Sequence, residues 1–232
     1  SVAVVTDGSA VLGLGNIGAE AALPVMEGKC VLFKELANID AFPICIKTQN
    51  NDEIISTVKN IAPVFGGINL EDIAAPNCFS IESALLELGI PVMHDDQHGS
   101  AIVILAALIN SAKVVNKSVE ELRVVINGAG AAGLATAKLL LCLGIGRNIC
   151  APVKEVIICD SKGIIYDGRA ELNQFKAQLA KASNKSKRKG TLQNALEGAD
   201  VFIGLSRGNL LAANDLKAMN ENAIVFAMAN PT

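Results

Sequence analysis

The sequence predicts an α/β fold in two parts, a smaller α/β domain over residues 1–98 and a doubly wound parallel-sheet domain over 99–232. Three observations predict it. Short apolar runs alternate with helical patterns along the chain, the order that produces parallel sheets covered on both faces. Two apolar runs lead into glycine turns of G-x-G-x-x-G spacing, "VLGLGNIGAEA" and "VINGAGAAGLA". Apolar residues make up 51% of the chain and aromatics only 3%, so the core is plentiful and must be packed with Val, Ile, Leu and Ala.

Residues 2–5 and 11–12 read as short strands around a Thr-Asp-Gly turn. "CVLFKEL" and "AFPICIK" read as two more. Residues 52–62 place Ile54, Ile55, Val58 and Ile61 at helical spacing. "VFGGINLED" is a strand ending in two acids, "CFSIESALLELG" a helix, and "IPVMHDD" another strand ending in two acids. A long helix, "GSAIVILAALINSAKVV", follows. Then come strand 123–127, helix 131–143, strand 155–159, a helix within 170–182, strand 200–205, helix 213–219 and strand 223–228. No repeats interrupt this order. The second part is Rossmann-type: a strand, a glycine turn and a helix of good helix formers, "LATAKLLLCLGIG", closing at Gly144 or Gly146.

The two glycine turns compete for a dinucleotide. Such a site wants an acid about 20 residues on, at the end of the next strand, for the ribose hydroxyls. Glu35 stands 22 residues after Gly13, and Asp160 stands 32 after Gly128. Spacing favours the first copy. Pro24 argues against it, because proline removes a helical N–H and clashes with the preceding turn, so a long crossover helix is not expected there. The second copy has its helix, and Asp160 closes the compact strand "EVIICD". The cofactor is therefore assigned to Gly128, Gly130 and Gly133, and the first copy is read as a tight strand-to-helix turn.

The net charge of −3 gives no reason to expect nucleic-acid binding, and the one basic run, "KSKRKG", reads as a solvated loop. The longest apolar stretch, "AIVILAALI", is too short to span a bilayer, so no membrane partner is expected. The six cysteines form no C-x-x-C pair and no even framework; in apolar runs they read as buried thiols of a reducing, cytoplasmic compartment. The chain starts mid-strand without an initiator Met and ends at "AMANPT", which predicts a piece of a longer protein.

Ligands bind at the carboxyl ends of strands in parallel α/β sheets. Glu71 and Asp72 end one strand here, and Asp95 and Asp96 another. Adjacent acids repel unless a cation neutralises them, and carboxylate oxygens suit Mg²⁺ or Mn²⁺. Either pair alone reads as solvated turn acids. Together, beside a dinucleotide turn in one chain, they read as a metal site. His94 and His98 match no zinc spacing and read as structural. Lys29 and Lys34, flanking the start of an apolar run, are either snorkelling or functional.

"TDGSAVLGLGNIG", "ALPVMEGKCVLFKE", "GGINLEDIAAPNCF", "PVMHDDQHGSA", "VVINGAGAAG", "DSKGIIYDGR" and "VFAMANPT" resemble, in order, the malic enzymes, most nearly the compact bacterial type. The likeness runs over nearly all of the chain; "LEDI" and "HDDQHG" are specific, the glycine turns are not. The resemblance implies oxidative decarboxylation of L-malate to pyruvate and CO₂ with NAD (NADP as the alternative) and Mg²⁺ or Mn²⁺, by a homo-oligomer, dimer or higher. It makes 1–98 the catalytic domain and 99–232 the NAD(P)-binding domain. It implies Glu71, Asp72 and Asp96 as metal ligands, Lys29 as general base, neutral and lowered in pKa, and Asp95 as its orienting acid. Gly128, Gly130, Ala131, Gly133, Asp160 and Ser206 are implied for the cofactor, and Asn230 for substrate and nicotinamide, with Lys29 also on the substrate. Asp160 favours NAD by repelling a 2′-phosphate, while Lys162 would meet one. The first glycine turn is implied to lead into the segment bearing Lys29. Two departures stand out. The family's proton-donating tyrosine comes from a segment outside these residues, and Tyr166, the only tyrosine, lies in a loop beyond Asp160. Larger members carry an arginine where this chain has Ala10.

Three other functions use some of these parts. A malolactic enzyme has the same site but releases lactate and no free NADH. A non-catalytic dinucleotide-binding module needs the glycines but not Lys29, Asp95 and the acids. An amino-acid dehydrogenase joins a lysine base to a Rossmann domain without a metal cluster.

Overall fold

A computed structural model describes residues 1–145 and 150–229. It divides into two compact units, Ser1–His98 and Gly99–Thr232.

The first unit is built on four parallel strands, β1 (Val2–Thr6), β2 (Ala41–Cys45), β3 (Gly67–Leu70) and β4 (Val92–His94), in the order β2-β1-β3-β4. The two central strands are buried along their length, with Ala3, Val4, Val5 and Leu70 wholly inaccessible. Three adjacent strands therefore end together: β1 in Thr6-Asp7, β3 in Leu70-Glu71-Asp72 and β4 in His94-Asp95-Asp96. Around them run α1 (Gly18–Ala37), α2 (Asn51–Ile61) and α3 (Asn77–Leu85), and α4 (Asp95–Val114) starts at the acids themselves. Asn50 caps α2 by accepting from Asp52 and Glu53 N–H, and Ile54 and Val58 form its buried stripe.

Three expectations for this unit fail. "CVLFKEL" is not a strand, and Pro24 does not prevent a long helix: residues 18–37 are one helix of 20 residues with Pro24 inside it. A proline there costs about 3 kcal/mol through a lost hydrogen bond and ring clash. The helix bears that cost because it packs on β1 and β2, burying Ala19, Ala22 and Met26. Lys29 and Lys34 consequently sit on a helix, not at the mouth of a strand. Residues 11–12 form no strand either. Val11 and Gly15 exchange both backbone hydrogen bonds in an isolated bridge that closes the glycine turn on itself.

The second unit carries β5 (Arg123–Asn127), β6 (Glu155–Asp160), β7 (Gly163–Ile164), β8 (Val201–Gly204) and β9 (Ile224–Ala227), in the order β7-β6-β5-β8-β9. The order reverses between β5 and β8, which is where doubly wound sheets open a ligand crevice. Its helices are α5 (Ala131–Leu140), α6 (Gln174–Ala182), α7 (Leu192–Leu196) and α8 (Ala213–Leu216). Val125, Ile157, Cys159, Leu196 and Phe202 lie in the cluster that packs the sheet against α7. Neither α7 nor β7 is evident in the sequence, and β7 runs antiparallel to β6, so the sheet is mixed. The helix α5 ends at Leu140, earlier than expected, and Cys142 and Gly144 beyond it take left-handed backbone. Gly146 lies outside the described residues. The cysteine reading is also corrected: Cys142 and Cys150 form a disulfide, because the chain returning from α5 brings their Cα atoms to 5.8 Å, while Cys78 and Cys159 are buried thiols. Among the described residues no helix is long and apolar enough to cross a membrane.

Candidate active site

Glu71, Asp72 and Asp96 converge: each offers a carboxylate oxygen, and these oxygens lie within 4.8 Å of one another. Glu71 and Asp72 arrive from the end of β3, and Asp96 from the first turn of α4. Asp72 adopts left-handed backbone, φ 53°, a conformation that Asp and Asn tolerate better than most residues. That turn directs its N–H to Asp96 Oδ2 at 2.8 Å. Asn69 Nδ2 donates to Glu71 Oε2 at 2.8 Å, while Oε1 faces Lys29. The loop after β1 closes over the same segment: Ala10 N–H bonds Asp72 O at 2.9 Å, and Ala74 N–H bonds Ser9 Oγ at 2.8 Å.

The electrostatics of three acids at this separation are unfavourable by themselves. Burial, then Asp96 and Glu71, push the Asp72 carboxyl up to about 7. Burial raises Glu71 too, against the opposing hydrogen bond from Asn69 and the charge of Lys29. Hard oxygen donors that repel one another so strongly suit a divalent cation. The same chemistry explains Lys29. Its Nζ, on α1, donates to Asp95 Oδ2 and lies 3.1 Å from Glu71 Oε1. Burial opposes its charge, but Asp95 and Glu71 outweigh burial and hold it above its ordinary value. The expectation of a lowered lysine is therefore reversed where the carboxylates act alone. Lys34 is elsewhere, paired on the surface with Asp40.

His94 is wholly buried, its Nε2 3.4 Å from Asp96 Oδ2 without a hydrogen bond, and burial lowers its pKa. His98 meets Glu82 Oε1 at 2.7 Å. The sequence reading did not single out Asn69 or Glu82. Glu82 leaves a trace in sequence, as the one charge among apolar residues in "CFSIESALL".

The first glycine turn is locked to the end of β1. Ile17 and Gly18 N–H both bond Gly8 O, and a Cβ on Gly8 would stand 2.2 Å from Gly18 O. Gly18 opens α1, so this contact sets where the helix bearing Lys29 begins.

In the second unit, the turn after β5 runs through Gly128, whose φ is +124°. A Cβ on Gly133 would lie 1.7 Å from Gly128 O, while one on Gly130, at the N-cap of α5, meets nothing within 4 Å. The backbone is thus open at Gly130, the N-cap of a helix whose free N–H groups attract anions. Ser206, after β8, is held by Asn127 Nδ2 at 2.9 Å. Asn127, Gly128, Gly130 and Ser206 border a cleft of about 1220 Å³ that also includes Asp160, Lys162, Tyr166, Arg169 and Lys189; Ala131 and Gly133, expected at the cofactor, do not line it.

Asp160 is committed more than the sequence suggested. Arg169 and Lys176 both bond Oδ2, and Lys162 N–H bonds Oδ1. Although burial opposes its charge, these partners hold its carboxyl down to about 2. Lys162 extends its Nζ to Glu171. Tyr166 stacks under Lys189. Asn230 lies outside the described residues.

Two family models match: the malic enzyme N-terminal domain over residues 1–86 and the malic enzyme NAD-binding domain over 97–232. The chain is 54% identical over 232 residues to the bifunctional malic/malolactic enzyme of Bacillus subtilis, covering 99% of this chain and 55% of that protein. It is 53% identical to the NAD-dependent malic enzyme of Geobacillus stearothermophilus, covering 100% and 47%, and 47% identical to the NADP-dependent malic enzyme of Rhizobium meliloti, covering 99% and 29%. The crystal structure of the NAD-dependent malic enzyme from Thermotoga maritima superposes with a TM-score of 0.93 at 52% identity, covering 100% of this chain and 60% of that one. The chain thus spans about half the length, or less, of these curated relatives.

Proposed function

This chain belongs to the malic enzyme family, and from that premise we propose that the whole protein oxidatively decarboxylates L-malate to pyruvate and CO₂, reducing NAD⁺ or NADP⁺. Glu71, Asp72 and Asp96 would hold Mg²⁺ or Mn²⁺. The observation that carries the reading is the convergence of those three carboxylates beside a lysine bonded to Asp95 and Glu71. A regulatory dinucleotide module has no use for that arrangement.

A divalent cation on these oxygens would polarise the substrate's C2 oxygen and stabilise the charge left when the carboxylate departs. A nicotinamide cofactor would accept the hydride from C2. Lys29 Nζ, as the neutral amine, takes the proton of the C2 hydroxyl. With Glu71 committed to a cation, Asp95 remains as the principal anion raising Lys29, and burial weighs more against its charge. Lys29 then gives up its proton more readily than among carboxylates alone. Asp95 keeps the ammonium–amine pair oriented through the bond to Nζ. Gly130 offers unobstructed backbone to a pyrophosphate, and Ser206 and Asp160 line the same cleft.

The Bacillus subtilis relative, named a bifunctional malic/malolactic enzyme, supports a second reading in which the hydride returns and lactate leaves. One assay separates the two: the complete protein with L-malate and Mn²⁺, given NAD⁺ or NADP⁺ in turn, with pyruvate, lactate and reduced nucleotide measured. Pyruvate with equimolar reduced nucleotide supports the first reading and lactate the second. Unconsumed malate with either nucleotide overturns both.

A further inference from the structure

We infer that Glu82 is a positioning residue for the cation cluster: it fixes the start of α4 so that Asp96 reaches Glu71 and Asp72 while Asp95 reaches Lys29. The inference rests on the reading of that cluster as a divalent-cation site.

Glu82 bonds to none of those five residues. It lies on α3, whose buried side otherwise consists of Cys78, Phe79, Ile81 and Leu85, and it is itself only 8% exposed. Packing alone would call for an apolar residue, since a buried carboxylate is costly unless its oxygens are satisfied. Here they are satisfied entirely by one stretch of chain. Oε1 accepts the backbone N–H of His94 at 2.9 Å and meets His98 Nε2 at 2.7 Å; Oε2 accepts Gln97 Nε2 at 3.0 Å. These three donors bracket Asp95 and Asp96.

The bracketed segment needs an external hold. The pairing of β4 with β3 stops at His94, the residue before the acids. The next N–H groups belong to the first turn of α4, which has no intrahelical acceptors. Glu82 therefore takes over where the strand ladder ends. Gln97 and His98, in the first turn of α4, reach Glu82 by their side chains, and His94, the last residue of β4, reaches it by its backbone N–H, so Asp95 and Asp96 stand between fixed points. Asp96 is gripped from the other direction by Asp72 N–H. The first turn of α4 is thus held at two points, and Glu82 is the one outside the cluster.

The test uses the complete protein and Mn²⁺ alone, with binding measured by electron paramagnetic resonance in the absence of malate and nucleotide. Glu82→Met keeps the volume and removes the acceptors. Its Mn²⁺ dissociation constant should rise about 10- to 100-fold, the usual consequence of losing a partner behind metal ligands. Nucleotide affinity should stay within a few-fold. Glu82→Gln retains an oxygen for His94 N–H, and Gln97 can turn its amide to match, so Mn²⁺ affinity should return to within a few-fold of wild type. That rescue separates hydrogen-bonded positioning from loss of a nearby negative charge. If Glu82→Met does not fold, His98→Ala, whose side chain is about half exposed, should still weaken Mn²⁺ several-fold. Unchanged Mn²⁺ affinity in Glu82→Met or in His98→Ala overturns the inference, as does a Gln variant as impaired as the Met variant. A wild-type protein that binds no Mn²⁺ overturns the cation-site reading together with it.

Discussion

Replacing Asp72 by asparagine should stabilise the cation-free protein and abolish most of its response to cation. Asp72 is raised from 3.8 to about 7 by burial and by Asp96 and Glu71. Between those values the folded protein holds a proton on Asp72 that the unfolded chain has released, so stability falls as pH rises. The stabilisation due to the protonated form is complete below about pH 4 and lost as pH passes through about 7. A displacement of about 3 units at about 1.4 kcal/mol each comes to about 4 kcal/mol at pH 8. The asparagine side chain imitates the protonated carboxyl without titrating, tolerates the left-handed φ of 53°, and keeps an oxygen for the backbone bond from Leu12. At about 2–4 °C per kcal/mol for a chain of this size, the variant should melt about 8–16 °C higher than wild type in EDTA at pH 8, and at nearly the same temperature at pH 4. Added Mn²⁺ should then close most of that gap. Wild type gains about 2.7 kcal/mol at a hundred times its dissociation constant, and the variant, one ligand short, gains far less. The assay is thermal unfolding of both proteins from pH 4 to 8 with EDTA or Mn²⁺. Coincident pH profiles in EDTA would refute the argument, because they would mean that Asp72 ionises without penalty among its neighbours.

Lys29→Ala should lower kcat by about 10²–10⁴-fold, the range for loss of a proton-transfer group, while Mn²⁺ still binds; equal loss of both in steady-state and binding measurements would make Lys29 a structural residue instead. Gly133→Ala should prevent the turn after β5 from forming, since its Cβ would lie 1.7 Å from Gly128 O, with loss of nucleotide binding by fluorescence titration. Gly130→Val should fold normally, as open space surrounds that position, yet lose nucleotide affinity because the valine occupies the approach of the pyrophosphate. Arg169→Met should destabilise the second unit by about 1–3 kcal/mol in urea at pH 7, since Asp160 keeps only Lys176 and Lys162 N–H. Because Asp160 is lowered to about 2, the stability it contributes in wild type is present above about pH 4 and lost as pH falls through 2, so the wild-type advantage should vanish in acid.

Strands ending in acids were legible because two independent signals coincide there, an apolar run and a pair of like charges with nothing nearby in sequence to neutralise them. That was enough to nominate the pairs Glu71–Asp72 and Asp95–Asp96 together; that Glu71, Asp72 and Asp96 are the ligands was implied only by the resemblance. Of their supporting partners, the Lys29–Asp95 pair came only from the resemblance, and Asn69 and Glu82 not at all, because such partners are chosen by proximity in space: Lys29 and Asp95 are 66 residues apart, and Glu82 is 15 from Gln97. The errors in the fold have the same origin. "CVLFKEL" is apolar enough to suggest a buried strand, yet Val31, Leu32 and Leu36 are all exposed on α1. Apolar density was taken for burial. In β7 and α7 the opposite holds, since elements of 2 and 5 residues are too short for any period to register.

The two glycine turns show why equal spacing need not mean equal function. In the first, Gly13, Gly15 and Gly18 all have φ near +77°, and a Cβ on Gly15 or Gly18 would meet nothing within 4 Å. Glycine is wanted there for backbone handedness, and the close approach belongs to Gly8, outside the motif. In the second, Gly133 is glycine because Gly128 O leaves no room for a side chain, and Gly128 because Leu205 and Ser206 crowd it. That crowding draws the start of α5 against the ends of β5 and β8, at the reversal of strand order. The first turn instead leads into α1, carrying Lys29 toward Asp95 and Glu71. Spacing records only that a chain must turn sharply between strand and helix; what a Cβ would strike distinguishes a turn that brings two elements into contact from one that reverses the chain.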